Sequence, residues 1–162
     1  MWKKIIIHHT ASPTEVLRKG KWVKVNRGII DEWHKRRGFG QIGYHFLVLK
    51  DGTVEAGRPI NMVGAHCLAS RRNHLGVGIA LVGNFQESRV PNLQLAAAAQ
   101  LTSKLINLFK MNGTQYIELH REVPGAKTLC PGRFFPKEEF IRIINKPVKI
   151  TFPKTLTRLR EV

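Results

Sequence analysis

The heptapeptide KKIIIHH, residues 3–9, decides the fold class of this chain. Ile5, Ile6 and Ile7 are consecutive and β-branched, and such side chains suit a pleated strand. No polar residue alternates with them, so both faces of the strand have to be covered. A second run of this kind is GVGIALVGNF, residues 76–85, a buried strand ending at Gly83. Strands covered on both faces belong inside a layered α/β domain.

The flanking segments supply the other layers. GIIDEWHKRRG (28–38) has Ile30, Trp33 and His34 at helical spacing, with Gly38 as the stop. NLQLAAAAQLTSKLINLFKMNG (92–113) is the clearest helix: Asn92 caps it, Leu101, Leu105, Leu108 and Phe109 share a face, and Gly113 closes it. YHFLVLKDGTVEAGR (44–58) reads as two strands about an Asp51-Gly52 turn. QYIEL (115–119) is a short strand and PKEEFIRII (136–144) a last helix, while 13–27 is a loop or a weak hairpin. The expected architecture is α/β, a central mixed sheet flanked by helices. One domain spans 1–145; the basic stretch 146–162 is an extension, either an edge strand around Val148–Phe152 or a tail.

Size and composition agree with one folded domain: 162 residues, 43% of them hydrophobic. Charge is the unusual feature, with 27 Lys+Arg against 11 Asp+Glu for a formal +16. Such a field draws polyanions and leaves the fold undetermined. The basic residues are scattered and no helix-turn-helix, OB or RRM signature is evident, which argues against nucleic acid as the primary partner. An anionic cell-envelope surface is the simpler attractor. No apolar run approaches the length of a membrane helix. His8 and His9 break the initial apolar run too early for a signal peptide, so synthesis without export is expected. Cys67 and Cys130 are then expected as free thiols or metal ligands, Cys67 as a small, partly buried thiol.

Three residues suggest chemistry. His8 ends the first strand, His120 ends QYIEL, and Cys130 lies in the loop that follows. Both strand ends fall on the rim where open α/β sheets place ligands. Two imidazoles, a thiolate and an open fourth position form a recognised catalytic zinc arrangement, and such soft ligands select Zn2+ over magnesium or calcium. On residues alone, a surface loop with an incidental His120 and Cys130 stays open. His45 is expected inside the sheet, alternating away from Tyr44, and His34 half-buried on its helix.

Four motifs in fixed order carry a family resemblance: IIIHHTAS (5–12), WHKRRGFGQIGYHFLVLKDGTVEAGRP (33–59), GAHCLASRRNHLGVGIALVGNF (64–85) and LHREVPGAKTLCPG (119–132). From Ile5 to Phe140 the chain resembles type 2 N-acetylmuramoyl-L-alanine amidases, a group that includes amidase-type phage lysozymes and peptidoglycan recognition proteins. The resemblance implies His8, His120 and Cys130 as zinc ligands and Tyr44 as the catalytic tyrosine. It implies an assisting lysine or threonine at Thr128, with Lys127 one place earlier. It also implies that Cys130 marks a cutting enzyme, since members that only bind the wall have lost this ligand. His66 and Asn73 match recurrent polar positions of the muropeptide groove. Arg71 and Arg72 are candidates for stem-peptide carboxylates or solvated loop charges. The implied activity is hydrolysis of the lactyl–L-alanine amide of peptidoglycan by a monomeric phage or prophage endolysin, made in the host cytoplasm and acting at the wall. A non-catalytic peptidoglycan-binding module and a cytoplasmic muropeptide-recycling amidase are the alternatives.

Overall fold

The structure, a computed structural model, describes residues 2–146. In chain order it contains strands β1 (Lys4–His9), β2 (Glu15–Arg18) and β3 (Lys21–Lys24), helix α1 (Arg27–Arg36), then β4 (Phe46–Val48) and β5 (Val54–Ala56). There follow the one-turn helix α2 (Arg72–Leu75), β6 (Gly76–Leu81), helix α3 (Asn92–Leu108), β7 (Ile117–Leu119) and helix α4 (Lys137–Asn145). Five strands form one sheet in the order β5-β4-β6-β1-β7. β1 runs parallel to β6 and β7, and β4 parallel to β6, whereas β4 and β5 pair antiparallel. The sheet is mixed, as expected. Gly52, at φ +85, turns the β4–β5 hairpin.

Ile5, Ile6 and Ile7 are all fully buried. Burying each of these side chains is worth about 1.5–3 kcal/mol, a gross figure before ordering costs. Alternation sends them to opposite faces. Ile5 and Ile7, with Val77, Ile79 and Leu81 of β6, pack against Leu95, Leu101 and Leu105 of α3 and Phe140 and Ile144 of α4. On the other face Leu47, Ala80 and Val82 meet Ile29 and Ile30 of α1, and Ile6 meets Cys67 and Val123. His8 follows Ile6 by two residues, so it points to the α1 side. That register alone puts the imidazole opposite the α3–α4 layer.

The Gln94 side chain, fully buried near the start of α3, ties that helix to the sheet by donating to the carbonyls of Val48 and Val82, each at 2.9 Å. Segment 13–27 is the β2–β3 hairpin followed by the start of α1, turned by Lys19 (φ 49) and Gly20 (φ 75). Two positive φ values are what a two-residue hairpin turn demands. No helix among the described residues is long and apolar enough to cross a membrane.

Three details of the expected α3 differ. The helix begins on Asn92 with Pro91 as its cap, and no side chain caps it. Pro91, at φ −59, already presents its carbonyl to the Leu95 N–H at 2.9 Å. Leu105 is buried but Leu108, one turn on, is 64% exposed; periodicity sets the direction of a stripe, not where its cover ends. The helix stops at Leu108 because Lys110 takes a left-handed conformation (φ 53), ahead of Gly113. The expected edge strand at 148–152 and all of the basic extension beyond Lys146 lie outside the described residues.

Candidate metal centre

β1 carries His8, which is 1% exposed, to a point near its C-terminal end. β7 ends at Leu119, so His120 opens the tight turn that follows, and the next loop returns with Cys130. Two hydrogen bonds hold that return in place. The Arg121 N–H donates to the Cys130 carbonyl at 2.8 Å, and its guanidinium donates to the Gly132 carbonyl at 2.7 Å. The donor atoms of His8, His120 and Cys130 lie within 4.8 Å of one another, and the two imidazole centroids are 4.5 Å apart. Cys130 Sγ stands 3.7 Å from His8 Nδ1. Nitrogen and sulfur ligands at their usual distances from one tetrahedral zinc ion are about 3.6 Å apart. The donor set and this spacing fit zinc.

Hydrogen bonds select the His8 nitrogen that faces the thiol. His66 Nε2 lies 3.1 Å from the Gly76 carbonyl, which only accepts, so Nε2 carries the proton. His66 Nδ1 is therefore an acceptor, and at 3.0 Å it takes the Nε2 proton of His8. The lone pair of His8 is thus left on Nδ1, the atom beside Cys130. Outer partners of this kind orient ligating imidazoles and tune their basicity. The His66 ring needs bare backbone on both sides: a Cβ on Gly64 or Gly78 would come within 2.5 Å of it. Those two glycines belong to the site, and only the register of β6 exposes their role.

Burial keeps the site uncharged. It holds the His8 imidazole well below its ordinary value, with His66 and His120 adding repulsion, and it lowers His120 too. Burial also pushes the Cys130 thiol up to about 12 despite the His9 N–H it accepts at 3.4 Å. Neutral imidazoles are ready to ligate, whereas the thiol has to lose a proton. Tyr44 precedes β4, its ring 5.3 Å from that of His8 and 5.1 Å from that of His34. Burial above all, with Cys130 beside it, pushes its hydroxyl above the ordinary value, so Tyr44 keeps its proton and can donate.

The remaining sequence candidates separate by their partners. Thr128 Oγ1 accepts the Cys130 N–H at 3.1 Å and retains its own proton; Lys127 is exposed. Asn73 is buried, and its Oδ1 accepts the backbone N–H groups of His66 and Cys67, each at 2.7 Å. It braces the loop that presents His66. Both His66 nitrogens are engaged as described. Arg72 clamps Glu118 through Nε at 2.6 Å and Nη2 at 2.8 Å, a bidentate pair inside the protein. Arg71 is exposed, held at φ 56. His45 is buried, one residue before β4 rather than within the sheet, its Nδ1 accepting the Gly78 N–H at 3.0 Å, and His34 is buried rather than half-buried, its Nδ1 accepting from Gly43 at 2.8 Å. Cys67 is buried outright, at 3% exposure, and both cysteines are free.

Two imidazoles and a thiol at the rim of a mixed sheet give this α/β domain a cluster that could hold a metal ion. The profile of the family described as N-acetylmuramoyl-L-alanine amidase matches residues 1–133, and the chain belongs to that family. Among its relatives, the endolysin of Escherichia phage T7 is 36% identical over 118 residues, 69% of this chain and 76% of that protein. Peptidoglycan-recognition protein LB of Drosophila melanogaster is 33% identical over 130 residues, 79% of this chain and 53% of that one. The solved structure of the N-acetylmuramoyl-L-alanine amidase LysC from Clostridium intestinale superposes with a TM-score of 0.75 at 35% identity, covering 89% of this chain and 85% of that one.

Proposed function

We propose that this chain is a zinc-dependent peptidoglycan amidase of the endolysin kind, hydrolysing the amide between the lactyl group of N-acetylmuramic acid and the L-alanine of the stem peptide. The observation that carries the reading is the convergence of His8, His120 and Cys130 within 4.8 Å, in a chain that shares its family with phage endolysins. A module that only binds the wall has no use for a ligating thiol, and this chain retains it. A zinc ion held there supplies Lewis acidity toward water and the scissile carbonyl.

The chain's own groups do the rest. As water adds to the amide, negative charge gathers on the former carbonyl oxygen and needs preorganised donors. Tyr44, kept protonated by burial, donates to that oxygen. The Thr128 hydroxyl is steadied by the Cys130 N–H and offers its proton as a second donor, with Lys127 able to add positive charge beside it. His66 orients His8, Asn73 steadies the loop carrying His66, and Arg71 is free to meet a stem-peptide carboxylate. The setting we infer is accumulation as a monomer in the host cytoplasm, followed by attack on the wall, with the positive surface favouring the anionic envelope.

Digestion of purified murein tests the reading. Mass spectrometry is expected to find new N-terminal L-alanine on the stem peptides, abolished by chelation and restored by zinc. Murein that gains no free alanine amine in the presence of zinc would refute it.

A further inference from the structure

The loops that leave β1 and β6 diverge at the C-terminal rim of the sheet. These two strands lie side by side and run parallel. The chain from β1 leads through the β2–β3 hairpin to α1 on one face, whereas the chain from β6 leads to α3 on the other. In the order β5-β4-β6-β1-β7, the β1-to-β4 connection passes β6 in one direction and the β6-to-β7 connection passes β1 in the opposite one. Such a reversal opens a crevice outside the strand ends, the usual place for a ligand in an open α/β sheet. A depression of about 620 Å3 lies there, lined by residues 11–14 beyond β1, much of 82–91 beyond β6, Lys50 and Gln94. None of His8, Tyr44, His66, His120 and Cys130 lines it.

Four side chains in its wall specify what fits. Gln94 is fully buried, and its amide nitrogen is engaged by the Val48 and Val82 carbonyls. Its Oε1 has no hydrogen-bond partner among the described residues. A buried acceptor without a donor is costly, so this wall calls for a ligand that gives a hydrogen bond. Gln94 also sits in the first turn of α3, a 17-residue helix that no side chain caps. The N–H groups and dipole of such a helix end favour negative charge. Lys50 and Arg89 line the depression, as does Glu87, and none of the three makes an ion pair among the described residues. A plain anion answers the cations and the helix end but is repelled by Glu87 and the Gln94 oxygen. A plain cation meets the reverse mismatch. A carboxylate with an ammonium on the neighbouring carbon answers all of them.

We propose that this crevice is a second binding site, for the α-ammonium carboxylate head of an amino acid. The carboxylate lies toward Lys50, Arg89 and the start of α3, while the ammonium donates to Gln94 Oε1 and faces Glu87. The volume is that of an ordinary small-molecule site and leaves room for a chain behind the head. Such a head comes from a free amino acid or from a diamino acid joined to a larger molecule through its other end. The site stands independently of the amidase reading.

An NMR titration of the isotope-labelled full chain with L-alanine tests it, before and after chelation of bound metal. The Gly83 amide and the Gln94 side-chain amide are expected to shift and saturate equally in both states, while Tyr44 and His66 stay still. Alaninamide lacks the carboxylate and N-acetylalanine lacks the ammonium; each binds at least about tenfold more weakly. So does L-alanine to the Lys50→Gln/Arg89→Gln protein, whose wild-type spectral dispersion separates lost binding from lost folding. Nε-acetyllysine carries the same head on a longer chain. Binding as tight as alanine assigns the tethered source, weaker binding the free amino acid, and either supports the site. Shifts confined to the metal centre and abolished by chelation overturn the proposal, because alanine then only ligates the metal. N-acetylalanine binding as tightly as alanine overturns it too, since the crevice would then take any anion. So does the absence of a saturable shift at Gly83 or Gln94 up to about 100 mM.

Discussion

Metal uptake by this site should release one proton from its protein ligands, and the structure sets the number. Burial holds the Cys130 thiol at about 12 in the metal-free protein, while His8 and His120 are depressed below the ordinary imidazole value. Between pH 7 and 9 both imidazoles are therefore neutral and the thiol is protonated. Ligation as thiolate costs about 6 kcal/mol at pH 7.5, from roughly 4.5 units at about 1.4 kcal/mol each. Structural zinc sites bind with about 10–16 kcal/mol, so the metal wins. The apparent zinc affinity, measured against a chelator at fixed free zinc, should rise at least about tenfold per pH unit across that window. Calorimetry in buffers of different ionisation enthalpy should find one proton per zinc from the thiol, plus any fraction released by water on the metal. In Cys130→Ser the slope disappears and affinity collapses. A slope of zero in the wild type would mean a preformed thiolate or a different ligand. A slope rising above one toward pH 9 would report ionisation of water on the bound metal, whereas a slope of zero refutes the charge state derived for the site.

Tyr44→Phe removes a donor while leaving the ring against His8, so zinc content should hold while murein turnover falls about 100-fold or more; undiminished turnover would exclude Tyr44 from the chemistry. His66→Phe keeps a ring over Gly64 and Gly78 but no acceptor for His8, and zinc affinity should drop about 10- to 100-fold with little change in melting temperature. An unaltered affinity would show that the His8 tautomer is set elsewhere. Stability should also depend on acid. Burial holds His9 and His34 at about 4 and His66 at about 3, whereas the unfolded chain titrates near 6.5. A depressed histidine favours the folded state above the unfolded value and withdraws that support as pH falls, because the unfolded chain takes protons the fold refuses. The melting temperature of the metal-free protein should be level from pH 8 to 7 and decline from pH 6.5 to 4.5. A level profile throughout that lower window would contradict the burial of these imidazoles.

Much of the site could be read along the chain because it hangs on strand ends. A histidine two residues beyond Ile6 must share its face, and one just past QYIEL must leave β7 near the same rim. Cys130 was legible only as a loop residue; the Arg121 hydrogen bonds that turn it back depend on atoms eleven residues apart or fewer, yet no pattern announces them. The roles of Asn73 and Arg72 were not legible. Both look like surface polar residues in GAHCLASRRN, and only their partners, the loop amides of His66 and Cys67 and the Glu118 carboxylate, make them internal braces. Nor does the sequence reveal that Gly64 and Gly78 are spaces cut for the His66 ring.

The chain's own pattern of apolar runs and turn residues determined the layered α/β class, the order of most elements and the placing of His8 and His120 at one rim. Those features follow from side-chain periodicity, which is local. Tertiary structure alone decided which nitrogen of His8 faces the thiol, that the thiol is neutral before metal arrives, and that Leu105 is buried while Leu108 is exposed. Tautomer, charge and exposure depend on what lies across a few ångströms of space, and those neighbours come from segments 58 or 122 residues away as readily as from the next turn.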